Sequence, residues 1–145
     1  KKKHNTMKKI LFSSSLIFLI NLSSFAQNRD YGLEDPEHLL DGYSFNYQYQ
    51  SGTAIHIEFE DGELTYQWIA GPNKGNPAKT LSYQSRIIEE DIYLVNWHEP
   101  TEKNFITLVF NLKNRVASSS VLVRYGNEKP RIAFEGGVIE HVVIK

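Results

Sequence analysis

Hydrophobic and polar positions alternate along most of the chain after residue 42. In residues 43–50, Phe45, Tyr47 and Tyr49 share one parity. In 53–60, Ile55, Ile57 and Phe59 alternate with Ala54, His56 and Glu58, and in 63–69 Leu64, Tyr66 and Trp68 fall together. A period of two puts such residues on one face of a strand. The breaks between these runs carry turn chemistry. Ser51-Gly52 turns the chain, Asp61-Gly62 is a two-residue hairpin signal, and residues 71–77 (Gly-Pro-Asn-Lys-Gly-Asn-Pro) read as a loop.

The second half continues the pattern. Residues 80–88 place Leu81, Tyr83 and Ser85 on one side, and Glu89-Glu90-Asp91 forms a charged turn. Residues 92–99 form a strand whose Tyr93, Val95, Trp97 and Glu99 share a face. Residues 103–112 are apolar on both parities, which marks a well-buried strand, and Lys113-Asn114 turns the chain into 115–124. After a loop at 125–129, residues 130–135 and 138–144 read as a final hairpin about Gly136-Gly137. Nine candidate strands at short, even spacing, with no helical period after residue 42, predict an all-β fold. The expected architecture is a small antiparallel up-and-down barrel of about eight to nine strands. A short N-terminal helix is expected before it, with Asp35 as cap, Pro36 at the first helical position, Glu37 in the first turn and Asp41-Gly42 as the stop.

The first residues have a different character. Lys8 and Lys9 follow Met7, an apolar run fills 10–25, and Ser24-Phe25-Ala26 offers small residues at a cleavage point. This pattern predicts a signal peptide over 1–26, cut after Ala26, with 1–6 an over-extended start. The apolar run is short and diluted by serines and Asn21, so no membrane anchor is expected after cleavage. The chain then divides into the signal peptide, a lead-in segment at 27–42 and a barrel domain at 43–145. A secreted or periplasmic location follows as an expectation. Residues 1–26 hold five lysines and no acid, so 11 of the 16 basic side chains but all 17 acidic ones fall in 27–145. That acidic balance disfavours nucleic-acid binding. The chain has no cysteine, which excludes thiol catalysis, thiolate zinc sites and iron–sulfur clusters.

The candidate chemistry lies on the inward parity. A carboxylate, Glu99, ends a strand whose inner face holds Tyr93 and Trp97. The expected interior also holds Tyr47, Tyr49, Tyr66, Trp68 and Tyr83, more polar and aromatic than a close-packed sandwich core. Small barrels of about eight strands can keep room for one ligand. The competing reading is a filled barrel in which each tyrosine hydroxyl finds a backbone partner. His38, His56, His98 and His141 fall on separate elements without metal-ligand spacing, and His56 and His98 have the outward parity. No metal and no cofactor are expected. Ser118-Ser119-Ser120 lacks the setting of a nucleophile elbow.

Several stretches carry a family resemblance. Tyr47-Gln48-Tyr49-Gln50-Ser51-Gly52 with the run from Ile55 to Ile69 resembles the opening of phenolic acid decarboxylases, as does Ile92 to Thr101, ending in Trp97-His98-Glu99-Pro100. The Gly71-Pro72-Asn73-Lys74-Gly75 loop, the Tyr83 strand and the hairpin over 106–116 are more similar to MoaF-like domains. Both groups are lipocalin-like (calycin) barrels, and the resemblance spans about 43–123. It implies that Tyr47 and Tyr49 would hold a substrate carboxylate and that Glu99 would meet a para-hydroxyl group. The decarboxylases also use an arginine where this chain has Asn76 or Pro77; the nearest cations are Lys74, Lys79 and Arg86. The leading expectation is an exported MoaF-like, lipocalin-type barrel that binds a small aromatic or apolar molecule. Tyr47, Tyr49, Tyr66, Trp68, Tyr83, Trp97 and Glu99 would line its cavity. The alternatives are a decarboxylase-like lyase using Tyr47, Tyr49 and Glu99, and a filled barrel acting through its surface, such as a homodimer.

Overall fold

The computed structural model describes residues 37–145. The expected signal peptide, and Asp35 and Pro36 of the expected helix, lie outside the described residues. Residues 37–42 form a bridge and turns, with no helix among them. Eight strands follow in chain order: β1 (Tyr43–Tyr49), β2 (Ala54–Glu60), β3 (Glu63–Ala70), β4 (Lys79–Glu89), β5 (Ile92–Glu99), β6 (Asn104–Asn111), β7 (Val116–Val123) and β8 (Arg131–Ile144). Each pairs antiparallel with the next, and β8 returns to β1, so the sheet is a closed barrel. Closure pairs most of the edge that an open sheet would leave exposed, although β8 extends past the end of β1.

The alternation read from the sequence sets the inward faces. Phe45, Tyr47 and Tyr49 of β1, Ile55, Ile57 and Phe59 of β2, and Leu64 and Tyr66 of β3 are buried. Asp61 (φ 52°) and Gly62 (φ 78°) make the tight turn between β2 and β3, the left-handed pair that a two-residue hairpin needs. In β6 only Ile106, Leu108 and Phe110 are fully buried, while Thr107 and Val109 are half-buried and Phe105 is exposed.

The end of the chain departs from expectation. The two strands anticipated at 130–135 and 138–144 are one 14-residue strand, β8, so the barrel has eight strands rather than nine. Gly136 and Gly137 do not adopt positive φ and make no turn. Gly137 has a steric role instead: a Cβ there would come within 2.7 Å of the Gln48 carbonyl oxygen and 3.3 Å of the Tyr49 ring. Glycine in a strand marks such a close backbone approach. The irregularity in β8 falls later. Its register with β1 slips by one residue between the Ser44↔Val143 and Asn46↔Glu140 pairs, and His141 takes φ 53° there. An extra residue in one strand is a β-bulge, which bends the strand to complete closure.

The barrel has two unlike halves. At one end Phe45, Phe59, Phe110, Leu64 and Ile57 fill the interior. The Phe45 and Phe110 rings meet edge to face at 4.9 Å, as do those of Phe59 and Tyr83. The lead-in segment closes this end. Leu40 is completely buried, and Glu37 and Ser85 exchange backbone hydrogen bonds at 3.2 and 2.7 Å. Asp41 accepts hydrogen bonds from Gly62 N and from the Tyr83 hydroxyl. The opposite end carries the loops 50–53, 71–78, 100–103 and 124–130, and there the interior is open.

Candidate functional site

The open half encloses a cavity of about 440 Å³. Its floor and walls come from the strand ends: Tyr47 and Tyr49 of β1, Tyr66 and Trp68 of β3, Trp97 and Glu99 of β5, and Ile106 and Leu108 of β6. Asn73, Asn76 and Pro77 of the β3–β4 loop form part of its rim. The loop residues 71–78 are exposed, in keeping with their glycine and proline content.

Six of the seven residues singled out from the sequence meet in this cavity: Tyr47, Tyr49, Tyr66, Trp68, Trp97 and Glu99. Tyr83 does not. Its ring packs on Phe59 and on His38 in the closed half, and its hydroxyl donates to Asp41 at 2.8 Å while accepting from Leu40 N at 3.2 Å. The expectation of a cavity role for Tyr83 is therefore corrected. Its parity was right, but the tilt of the strands carries its side chain toward the closed end.

Glu99 is the best-connected polar group of the cavity. It is 5% exposed. The Tyr66 hydroxyl donates to its Oε1 at 2.5 Å, Asn104 Nδ2 donates to its Oε2 at 2.9 Å, and Lys79 Nζ lies 3.6 Å from the same Oε2. A buried charge is tolerated when its oxygens are satisfied in this way. Lys79 is shared: its Nζ is 2.6 Å from Glu102 Oε1, and that cation holds the Glu102 carboxyl below the usual carboxylate range. The Lys79 ammonium also stands 6.0 Å from the centre of the Tyr66 ring.

The tyrosines of the cavity are held in the neutral form. Burial, then the neighbouring Tyr49 hydroxyl, pushes Tyr47 well above the ordinary phenol range. Burial raises Tyr49 as well. Tyr66 is raised first by burial and then by its hydrogen bond to Glu99. Neutral phenols remain hydrogen-bond donors at any physiological pH. The Trp97 rings stand 6.2 Å from Tyr66, and the buried Trp97 Nε1 has no hydrogen-bond partner among the described residues. An N–H left unpaired beside a cavity is available to a bound acceptor.

Several lining groups escaped the sequence reading. Lys79 was noted only as a nearby cation, and Glu102, Asn104, Arg131 and Glu135 were not singled out. Arg131 and Glu135 share a parity in β8 with Ala133, opposite Ile132 and Phe134, and the apolar pair would ordinarily be assigned to the inside. The structure inverts this. Arg131, Ala133 and Glu135 line the cavity, and Ile132 and Phe134 face outward. The position near Asn76 and Pro77 holds no arginine, but Lys79 and Arg131 bring cations to the same cavity from β4 and β8.

The described histidines keep away from the site. His56 bonds Asn46 and Glu58 on the outer face at 2.7 and 3.0 Å, and His98 meets the Tyr125 hydroxyl. Among the described residues no group of three or more His, Cys, Asp or Glu side chains is arranged to hold a metal ion. No helix among them is long and apolar enough to cross a membrane.

Comparison with known proteins fits this architecture. A family model described as MoaF-like matches residues 41–131. Among solved structures, a protein from Burkholderia vietnamiensis provisionally described as a beta-lactamase has a similar fold. The TM-score is 0.61 at 14% identity, and the match covers 70% of this chain and 93% of that one. At this identity the likeness concerns the fold alone. No curated protein matches the chain.

Proposed function

The chain belongs to the MoaF-like family, and from its half-filled barrel we propose that it binds a small aromatic molecule in the open half. The observation that carries this reading is the cavity of about 440 Å³ walled by Tyr47, Tyr49, Tyr66, Trp68 and Trp97, with Glu99 buried among them. Ligand sites are typically concave, mostly apolar and furnished with a few fixed polar groups. Aromatic walls suit a flat ring, which they meet by stacking or edge contacts. Glu99 and Trp97 Nε1 supply an acceptor and a donor that orient it.

The charge of the lining narrows the ligand. Glu99, Glu102 and Glu135 face Lys79 and Arg131, and Lys79 is already engaged by two carboxylates. An uncharged phenol fits this balance better than an anion. Thermal denaturation with simple neutral phenols, beside the matching phenolic acids, tests the point, because a ligand selective for the folded state raises the midpoint. A rise with phenols that Glu99→Gln abolishes supports the reading. No rise with any small aromatic removes it.

A second reading has one observation in its favour. Lys79 and Arg131 bring cations to the cavity that holds Tyr47 and Tyr49, as a lyase acting on a phenolic acid would require. Loss of p-coumaric acid absorbance on incubation with the protein, and its absence in Glu99→Gln, would establish that reading. The binding reading expects no turnover. The site of action is proposed to lie outside the cytoplasm, on the strength of the N-terminal pattern. N-terminal sequencing of exported protein should begin at Gln27, and intact residues 1–26 would argue otherwise.

A further inference from the structure

The barrel closes along β1 and β8, but only in part. β8 pairs with β7 from Arg131 to Val138, whereas its register with β1 runs from Gly137 to Ile144. Beyond it, Gln50 N donates to Gly136 O at 3.1 Å, and β1 has ended. Residues 131–135 therefore have a ladder partner on the β7 side and none on the other among the described residues. Backbone groups in a strand alternate in direction, so with Gly136 O aimed at β1, the N–H and C=O of Ile132 and Phe134 aim at the unpaired edge.

The same five residues carry the two most exposed large apolar side chains of the barrel, Ile132 at 73% and Phe134 at 78%. An open strand edge with exposed apolar side chains is a template for another strand. The segment Arg131-Ile132-Ala133-Phe134-Glu135 is complementary to itself when reversed. We propose that this edge pairs antiparallel with the same edge of a second copy of the chain, about a two-fold axis at Ala133.

The register follows from the chemistry. Centring on Ala133 sets Ile132 opposite the other copy's Phe134, and both directions of that pair use the edge-facing backbone groups. It also sets Arg131 opposite the other copy's Glu135, twice by symmetry, with opposite charges meeting on the inner faces. Opposite-charge and aromatic–β-branched cross-strand pairs each stabilise, and like charges directly opposite destabilise. A two-fold contact of this kind is isologous and closes at the dimer. Any other register loses the charge match or turns the edge-facing amides away. The pairing would join the two sheets beside both cavities, with Arg131 and Glu135 on their shared walls. It stands independently of whether a ligand occupies the cavity.

Sedimentation and cross-linking of the whole chain test this together. The parent protein is expected to sediment as a dimer. Arg131→Glu, which sets like charges opposite each other twice, should weaken dimerisation by about tenfold or more. Adding Glu135→Arg to it should restore the dimer with the charges exchanged. The chain has no cysteine, so Ala133→Cys places a single thiol at the axis, in a non-hydrogen-bonded pair close enough for a disulfide. Mild oxidation should cross-link that variant and leave Ser118→Cys uncoupled. A monomer at all concentrations, or a dimer that ignores Arg131→Glu while Ala133→Cys stays uncoupled, overturns the proposal.

Discussion

The two halves of the barrel are built from the same eight strands with the same inward alternation, yet one is a core and the other a container. In the closed half the inward residues are Phe45, Phe59, Phe110, Leu64 and Leu40, all completely buried or nearly so. In the open half the corresponding positions are Tyr49, Tyr66, Trp97, Glu99 and, on β8, Arg131 and Glu135. What differs is the chemistry at each level of the axis. Apolar side chains can meet each other and exclude water, whereas phenols, carboxylates and cations must each find a partner, so they stand apart around a space. Stability and binding are thus assigned to opposite ends of one sheet.

The largest effect that would break this contrast is a cavity in the wrong half. Phe110 touches Phe45, Tyr47 and Phe59. Phe110→Ala removes a ring from a closed space that cannot collapse around the loss, and should cost about 3–5 kcal/mol of unfolding free energy. Val121→Ala, on a half-buried wall of the open cavity, should cost about 1 kcal/mol or less, since the space it leaves is already open. Urea denaturation measures both. Similar costs would mean that the open half is as tightly packed as the closed one.

Within the open half, the next effect comes from the network on Glu99. Tyr66→Phe keeps the ring but removes the hydroxyl that donates to the buried carboxylate. Leaving that oxygen short of a partner should cost about 1–3 kcal/mol, again read from urea midpoints. A neutral result would mean that water replaces the hydroxyl and that Glu99 is wetter than its burial indicates.

The phenols also set a pH dependence. Tyr47 is buried and its pKa is raised above that of the unfolded chain, which is about 10. The sign follows from proton binding. Below about pH 10 both states hold the proton and stability is level; above it the unfolded chain releases the proton and the folded one retains it. Stability should then fall by up to about 1.4 kcal/mol per pH unit for each such tyrosine until the folded value is reached. Urea midpoints from pH 8 to 11 should show the fall, and Tyr47→Phe should make it shallower. An unchanged slope in that variant would transfer the effect to the other tyrosines.

Much of this was legible in the sequence, and the failures share a cause. Period-two alternation located β1 to β7 and identified the inward side chains of β1 to β5, because most inward positions there are apolar or aromatic, with Glu99 the exception it singled out. It could not give the level of a side chain along the axis, which depends on strand tilt, and so Tyr83 was grouped with the cavity when its hydroxyl serves the closed end. It failed on β8 at the glycine pair. Gly136-Gly137 reads as a turn, but the pair is there because Gly137 passes within contact of Gln48, a constraint set by a strand some 90 residues earlier. The inward face of residues 131–135 is charged and the outward face apolar. A rule that apolar residues point inside inverts wherever the inside is a polar container and the outside is an uncovered edge.

The smallest expected effect lies at the mouth of the cavity, where Lys79 bridges Glu102 and Glu99. The pair with Glu102 is the closer one, but that carboxylate is well exposed to solvent. Lys79 depresses the Glu102 pKa, so the pair contributes above the unfolded carboxylate value of about 4.3 and is lost as pH falls through the lower folded value. Exposure and salt screening reduce its contribution to about 0.5 kcal/mol or less. Glu102→Gln should therefore leave the urea midpoint at pH 7 almost unchanged, and the small difference should vanish in high salt. Its effect should appear instead in binding. Once Lys79 no longer turns toward Glu102, it is free to neutralise Glu99 alone, and a phenolic acid should gain affinity relative to the matching phenol. Titration of both ligands against the parent and the variant decides this. If the ratio does not move, Lys79 belongs to the rim of the barrel and takes no part in selecting what enters it.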